Sequence, residues 1–222
     1  MKQSPPGSSA YGPEAFLKDT GVSRETLARL QAYADLLLVW NKKINLIGPS
    51  TASDLWTRHM LDSAQLFPLI PAESRTLLDM GSGAGFPGLV LAIMGVPGVH
   101  LAESDQRKCA FLREAARIAQ APVTVLAKRI EDIPPFPADV VTARALAPLA
   151  ELLEWSAPFL TKNTRCIFPK GQNVAVELTD AHKRWRIAVN QRPSRTDSRG
   201  TIVCIGEVRR DRPEPDQSGP SG

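Results

Sequence analysis

Leu77-Leu78-Asp79-Met80 is a short apolar run carrying one carboxylate, and Gly81, Gly83 and Gly85 follow at alternate positions before Phe86-Pro87-Gly88. Residue types in this order predict a strand, a tight turn and a helix start, which together cradle a nucleotide-like ligand. Glycine supplies positive φ and lets the backbone approach a ligand with no Cβ in the way. Pro87 has a preset φ and no amide hydrogen, which suits the first position of a helix. Asp79 puts an acceptor where it can meet a cationic part of the ligand, directly or through water. A dinucleotide fingerprint needs glycine at the first, third and sixth positions counted from Gly81. The sixth is Phe86, so that pattern fails.

What remains, Asp79 followed by Gly81, Ser82, Gly83 and Gly85, resembles the first motif of the S-adenosylmethionine-dependent methyltransferases. In that resemblance Asp79 faces the ammonium of the donor's methionine part. A second acid fits the same ligand. Val99-His100-Leu101-Ala102-Glu103 reads as the next strand, and Glu103 lies 24 residues beyond Asp79. A carboxylate at that point is the expected partner of two ribose hydroxyls, although alone it would pass for a helix-flanking charge. A third strand leads into Ala127-Lys128-Arg129-Ile130-Glu131-Asp132. Here Ile130 can pack on an adenine ring, with Glu131 or a backbone group near the exocyclic amine. Without the other motifs this segment is a turn with ordinary charges.

The elements that must position these residues can be read along the chain. Its 222 residues, 43% hydrophobic and 23% charged, make one domain of ordinary size with a real core, or one with a small appendage. No apolar run approaches membrane-spanning length, and Met1-Lys2-Gln3-Ser4-Pro5-Pro6 does not open a signal peptide, so a cytoplasmic protein is expected. Cys109, Cys166 and Cys204 are odd in number and lie in apolar-periodic segments, which predicts buried reduced thiols. No cysteine–histidine spacing suggests a metal, and none is expected. Residues 182–212 hold nine Lys or Arg against three acids, more net charge than the +4 of the whole chain. Such a face suits phosphate contact, and equally a solvated surface.

Residues 1–12 and 210–222 are Ser-, Pro-, Gly- and charge-rich and are expected to be disordered. Ser23 can cap a helix to about Asn41 with Leu27, Leu30, Ala34 and Leu37 on one stripe, and Ser53 can cap a second through Leu66. They form a helical cap over residues 13–72, ahead of a Rossmann-like domain over 73–209. In that domain strands are expected at 75–80, 99–103, 122–127, 138–143 and 164–169, with helices at 87–95, 106–119, 148–160 and 172–185. This alternation means a doubly wound parallel sheet. Two runs with no helix between them, near 186–191 and 201–208, suggest an antiparallel closing pair. The resulting α/β fold, a mostly parallel seven-stranded sheet, is similar to that of class I methyltransferases. Ligands in such sheets bind at the carboxyl ends of the strands.

Two of those ends carry cations, Arg144 after the fourth strand and Lys170 after the fifth. They suit a phosphate-bearing, electron-rich substrate, and Arg144 can also offer bidentate bonds to a base edge. Ile133-Pro134-Pro135-Phe136 resembles the Pro-Pro-aromatic signature of exocyclic-amine methylation. It has Ile where that signature needs an acceptor, and it precedes the fourth strand, so it reads as a stiff loop. No cysteine falls at the fourth or fifth strand end, which disfavours methylation through a covalent cysteine adduct.

Trp40-Asn41-Lys42-Lys43-Ile44-Asn45-Leu46 and Arg58-His59-Met60-Leu61-Asp62-Ser63, followed by Asp79 to Gly88, Thr142 to Leu149 and Lys170-Gly171, resemble the bacterial 16S ribosomal RNA methyltransferase G family, also called glucose-inhibited division protein B. The likeness spans roughly residues 14–208; Ile47-Gly48-Pro49 departs from it where Thr is usual. It implies methylation of guanine N7 at one site of 16S rRNA, with S-adenosylmethionine as donor and the small ribosomal subunit or its RNA as partner. It also implies donor contacts at Gly81, Phe86, Ile130, Glu131 and Arg144. Guanine N7 has a lone pair and loses no proton, so alignment rather than a general base is required. Arg144 and Lys170 are then the catalytic pair, holding guanine O6 or nearby phosphate. Asn45, Arg58 and Asp62 either orient the cap or bind RNA, and His59 reads as a polar residue between cap and sheet. The rival readings are a methyltransferase for a small molecule or a protein, and a non-catalytic RNA-binding module that keeps a donor pocket. No exposed apolar stripe asks for a second copy, so a monomer is expected.

Overall fold

The computed structural model describes residues 11–211. Most of the two expected tails lies outside that range. Where they overlap it they are ordered: the Tyr11 hydroxyl donates to Asp19 at 3.1 Å, and Arg210 ends the last strand.

The chain opens with α1 (Pro13–Thr20) and α2 (Arg24–Asn41). Ser23 caps α2 as expected, its hydroxyl accepting from the Thr26 amide at 3.0 Å. The second cap helix starts earlier than Ser53. Gly48 is its cap and Pro49 its first residue, giving α3 (Pro49–Ala52), then a π-helical stretch (Trp56–Leu61) and α4 (Asp62–Ala64). The proline explains the shift, since its fixed φ and missing amide favour the first helical position.

Beyond the cap come β1 (Leu77–Met80), α5 (Gly88–Ile93), β2 (Val99–Ala102), α6 (Gln106–Ile118), β3 (Val123–Leu126), β4 (Val140–Ala143), α7 (Leu149–Ser156), β5 (Arg165–Lys170), α8 (Val174–His182), β6 (Trp185–Pro193) and β7 (Thr201–Arg210). The strand order is β3-β2-β1-β4-β5-β7-β6, with β1 to β5 parallel and the β6–β7 hairpin antiparallel. The sheet turns outward in both directions from the β1–β4 pair, and the crevice at their carboxyl ends is where such a sheet binds ligand. Asp79 lies beside Thr142 and Met80 beside Ala143. The two loops that follow therefore start side by side.

Alternation along the strands divides the core. Leu77, Val140, Ile167 and Ile202 face one layer, which they share with α5, α6 and the cap residues Leu30, Tyr33 and Leu37. Leu78, Val141, Cys166 and Val203 face the other, with Leu152 and Leu153 of α7 and Ala181 of α8. The cap is thus packed into the same core as one face of the sheet, and α2 can reach the glycine turn directly.

Candidate active site

The turn after β1 is built on positive φ at Gly81 (64°), Gly83 (55°) and Gly85 (102°). A Cβ on Gly81 would lie 2.6 Å from the side chain of Leu146, and one on Gly88 would lie 2.7 Å from Asp79. Both positions need glycine for close approach as well as, at Gly81, for conformation. Pro87 stands one residue before the helix and caps it, so α5 begins at Gly88 rather than at the proline.

Asp79 is wholly buried. Its Oδ1 accepts from the Thr142 hydroxyl at 2.8 Å and its Oδ2 from the Gly88 amide at 3.2 Å. It is directed into the start of α5 and lines neither chamber described below. Burial pushes its carboxyl up to about 6, against the pull of those hydrogen bonds and of Arg144.

Two chambers open at the sheet's carboxyl edge. The smaller, of 370 Å³, brings together Gly81, Gly83, Glu103, Ile130 and Glu131, five residues that sequence spacing grouped. Glu103 is held at its rim by two backbone amides: Oε2 accepts from Gly83 at 2.9 Å and Oε1 from Asp105 at 2.8 Å. Each oxygen keeps a second acceptor site for a hydroxyl. A Cβ on Gly83 would meet nothing nearer than the Gly81 carbonyl at 3.8 Å, so the backbone there is open to a ligand. Ser82 and Phe86 line the larger chamber instead.

That larger chamber, of 640 Å³, lies between the turn, the cap, the end of β5 and the β6–β7 loop. Gly81, Gly83, Arg144 and Ala145 line both chambers. Ala145 takes φ of 51°, rare outside glycine, and the following Leu146 covers Gly81.

Arg144 is fastened to the cap. Its Nη1 donates to the Arg58 carbonyl at 3.0 Å and to Asp62 Oδ2 at 3.3 Å, and its Nη2 donates to His59 Nδ1 at 2.8 Å. Its guanidinium lies 4.9 Å from the centre of the Phe86 ring, on which His59 stacks at 4.8 Å. A guanidinium only donates, so His59 Nδ1 accepts and its Nε2 carries the proton to Thr51 Oγ1, 2.9 Å away. Burial first, then Arg144 and Arg58, hold the imidazole down to about 3. His59 is therefore a neutral positioning group with both nitrogens engaged.

Lys170 also lines the larger chamber, but it is not the open cation that the sequence suggested. Its Nζ pairs with Glu177 at 2.6 Å and donates to the Ala147 carbonyl at 2.9 Å. Sequence reasoning missed Glu177, and nothing in its spacing signals it, because α8 brings it back from beyond β5. It missed the β6–β7 loop as well. There the Thr196 hydroxyl donates to Asp62 Oδ1 at 2.6 Å, Gln65 accepts from the Arg195 amide at 2.8 Å, and Asp197 faces Arg58 at 3.7 Å. Nor did sequence reasoning single out Tyr33, whose buried hydroxyl donates to the Ala84 carbonyl of the glycine turn at 2.5 Å.

Other expectations fall elsewhere. Asn45 is exposed and lines neither chamber, whereas Asn41 shapes that loop by accepting from the amides of Leu46 and Ile47 at 2.8 and 2.9 Å. Phe136 of the proline-rich loop packs on His100 and Phe159, away from both chambers. Cys109 and Cys166 are buried, but Cys204 is only half-buried. In the basic segment Lys183, Arg186, Arg195, Arg209 and Arg210 pair with acids of this same chain.

The comparisons with known proteins agree with one another. A family model described as rRNA small subunit methyltransferase G matches residues 26–199. A protein of Paramagnetospirillum magneticum named ribosomal RNA small subunit methyltransferase G is 59% identical over 204 residues, covering 92% of this chain and 100% of that one. Its namesake in Rhodospirillum rubrum is 56% identical over 198 residues, covering 89% and 98%. Among solved structures, a TehB-like SAM-dependent methyltransferase from Corynebacterium glutamicum is similar at a TM-score of 0.56 and 13% identity, covering 77% of this chain and 97% of that one. M. jannaschii TYW2 in complex with AdoMet gives 0.55 at 15%, covering 71% and 78%. At these identities the structures speak for the fold alone.

Proposed function

Because this chain belongs to the rRNA small subunit methyltransferase G family, we propose that it transfers a methyl group to N7 of one guanine in 16S rRNA. It is an S-adenosylmethionine-dependent methyltransferase of small-subunit rRNA. The observation that carries the finer reading is the pair of chambers meeting at Gly81, Gly83, Arg144 and Ala145. These residues set a molecule bound in one chamber beside a molecule bound in the other, which is the arrangement an in-line displacement between two bound molecules requires.

In this reading the donor fits the smaller chamber. Glu103 takes its ribose hydroxyls, Ile130 and Glu131 flank its adenine, and the backbone at Gly81 and Gly83 receives its methionine part, with Ser82 and Gly85 completing the turn behind them. Asp79 acts at one remove, by fixing the turn to the start of α5. S-adenosylmethionine supplies a methyl group activated on a sulfonium. The guanine enters the larger chamber with N7 toward the shared wall. Its lone pair would accept the methyl group that the bound donor supplies, the C–S bonding pair staying with the donor's sulfur and the positive charge with the base. No proton is removed, and His59, neutral with both nitrogens committed, is suited to holding Arg144 rather than to taking a proton. Alignment of this kind can contribute roughly 7–11 kcal/mol to lowering the barrier. Arg144 lies at the junction and Lys170 on the larger chamber's wall, where a cation can meet O6 or a phosphate. Residues 13–72 then serve as the acceptor-side cap and 73–209 as the catalytic domain. The enzyme works in the cytoplasm as a monomer.

Methyl transfer from labelled donor to small subunits lacking the modification tests the reaction, with the product mapped by borohydride reduction and aniline cleavage. One new cleavage in 16S RNA is the expected result. Labelling without cleavage would overturn N7, and no labelling would overturn the RNA substrate.

A further inference from the structure

The larger chamber holds several ionised groups, and most are already matched. Asp62 accepts from Thr196 and Gln65 through Oδ1 and from Arg144 through Oδ2. Glu177 Oε2 takes both Lys170 and the Leu149 amide, at 2.6 and 2.8 Å. Asp197 differs. Its Oδ1 accepts from the Arg199 amide at 2.9 Å, which fixes the side chain on the β6–β7 loop. Its Oδ2 faces only Arg58 Nη1 at 3.7 Å, beyond hydrogen-bond reach. The backbone bond to Arg199, then Arg199 and Arg58 themselves, hold its carboxyl below the usual range, so it is ionised at neutral pH.

The edges of guanine are on opposite sides of the ring system. When N7 faces the donor, N1–H and the exocyclic amine point away from the glycine turn and need acceptors supplied by another element. The β6–β7 loop is such an element, joined to the cap through Thr196–Asp62 and Arg195–Gln65 and so held against the chamber. We propose that Asp197 is the specificity residue of the acceptor chamber, accepting from N1–H and the exocyclic amine of the target guanine. Adenine, with an unprotonated N1 and no amine at that position, would set a lone pair against the carboxylate. The proposal rests on the N7 reading above.

The test uses small subunits reconstituted with 16S RNA carrying either guanosine or inosine at the target position, inosine lacking only the exocyclic amine. The parent enzyme is expected to prefer guanosine by about tenfold or more in kcat/KM, the scale of a base-edge contact. In Asp197→Ala that preference shrinks toward unity, while binding of S-adenosylhomocysteine stays at the parental Kd. Asp197→Asn keeps the bond to the Arg199 amide and so protects the result from a collapsed loop; it too should lose most of the preference. An undiminished preference in both variants would overturn the assignment to Asp197. A guanosine product of the parent that resists borohydride–aniline cleavage would instead overturn the N7 reading.

Discussion

At the scale of single residues, two buried titratable groups beside the site couple stability to pH with opposite signs. His59 has its pKa lowered from 6.5 to about 3, chiefly by burial. The unfolded chain takes up that proton first, so stability is whole above pH 6.5 and declines as pH falls toward 3. Between pH 6.5 and 5 the loss from this group is about 2 kcal/mol. Urea unfolding at pH 7 and pH 5 should show a smaller drop for His59→Gln, whose amide can still accept from Arg144 and donate to Thr51. Asp79 is raised from 3.8 to about 6, again chiefly by burial. Here the unfolded chain loses its proton first, so stability is greatest below 3.8 and is given up as pH rises to 6, by roughly 3 kcal/mol. Asp79→Asn should therefore gain on the parent between pH 4 and pH 7, measured by the same unfolding. The type and position of Asp79 were legible in the sequence. Its direction was not, because Thr142, which claims one of its oxygens, is brought alongside only by β1–β4 pairing.

Among elements, the cap and the β6–β7 loop act as two sides of one clamp. The α2 helix was readable because Ser23 and a four-residue apolar stripe mark its start and its buried face. The π-helical stretch at Trp56–Leu61 was not, since no local residue preference distinguishes a widened turn from an α-helix. That stretch nevertheless carries Arg58 and His59 to Arg144. Gln65, nearly buried, joins it to the hairpin loop by accepting from the Arg195 amide. Gln65→Ala removes that part-buried bond and should cost about 1 kcal/mol on unfolding. Because the loop lines the larger chamber and not the smaller, the proposed roles of the two imply that the same variant should raise KM for small subunits and leave donor binding unchanged. Tyr33 predicts the converse. Tyr33→Phe removes a bond to the glycine turn worth about 1 kcal/mol, and calorimetry should find S-adenosylhomocysteine bound several-fold more weakly.

For the whole molecule, the parallel sheet and its antiparallel closing pair were legible because strand and helix signals alternate until the last two strands, which have no helix between them. The distribution of charge was not. A count along the chain makes residues 182–212 the basic region, but three of its cations are answered by acids that folding brings to them, Arg186 by Asp211, Arg195 by Asp19 and Arg210 by Glu154. Sequence shows how many charges a segment carries, whereas only the fold shows which are already paired. Lys42 and Lys43 are different: both are exposed, and they lead into Leu46 and Ile47, which line the larger chamber. Phosphate contact by the substrate should therefore depend more on this loop than on the edge of the hairpin. Each phosphate contact contributes about 0.7–0.9 to the slope of log affinity against log salt. Reversing both lysines to glutamate should flatten the salt dependence of small-subunit binding by about 1.5 and weaken binding at low salt. Reversing Arg186 and Arg209 on the hairpin, each facing an acid of its own chain, should change that slope little. Filter binding across a salt series measures both, and equal effects from the two pairs would return the phosphate-contact role to the C-terminal segment.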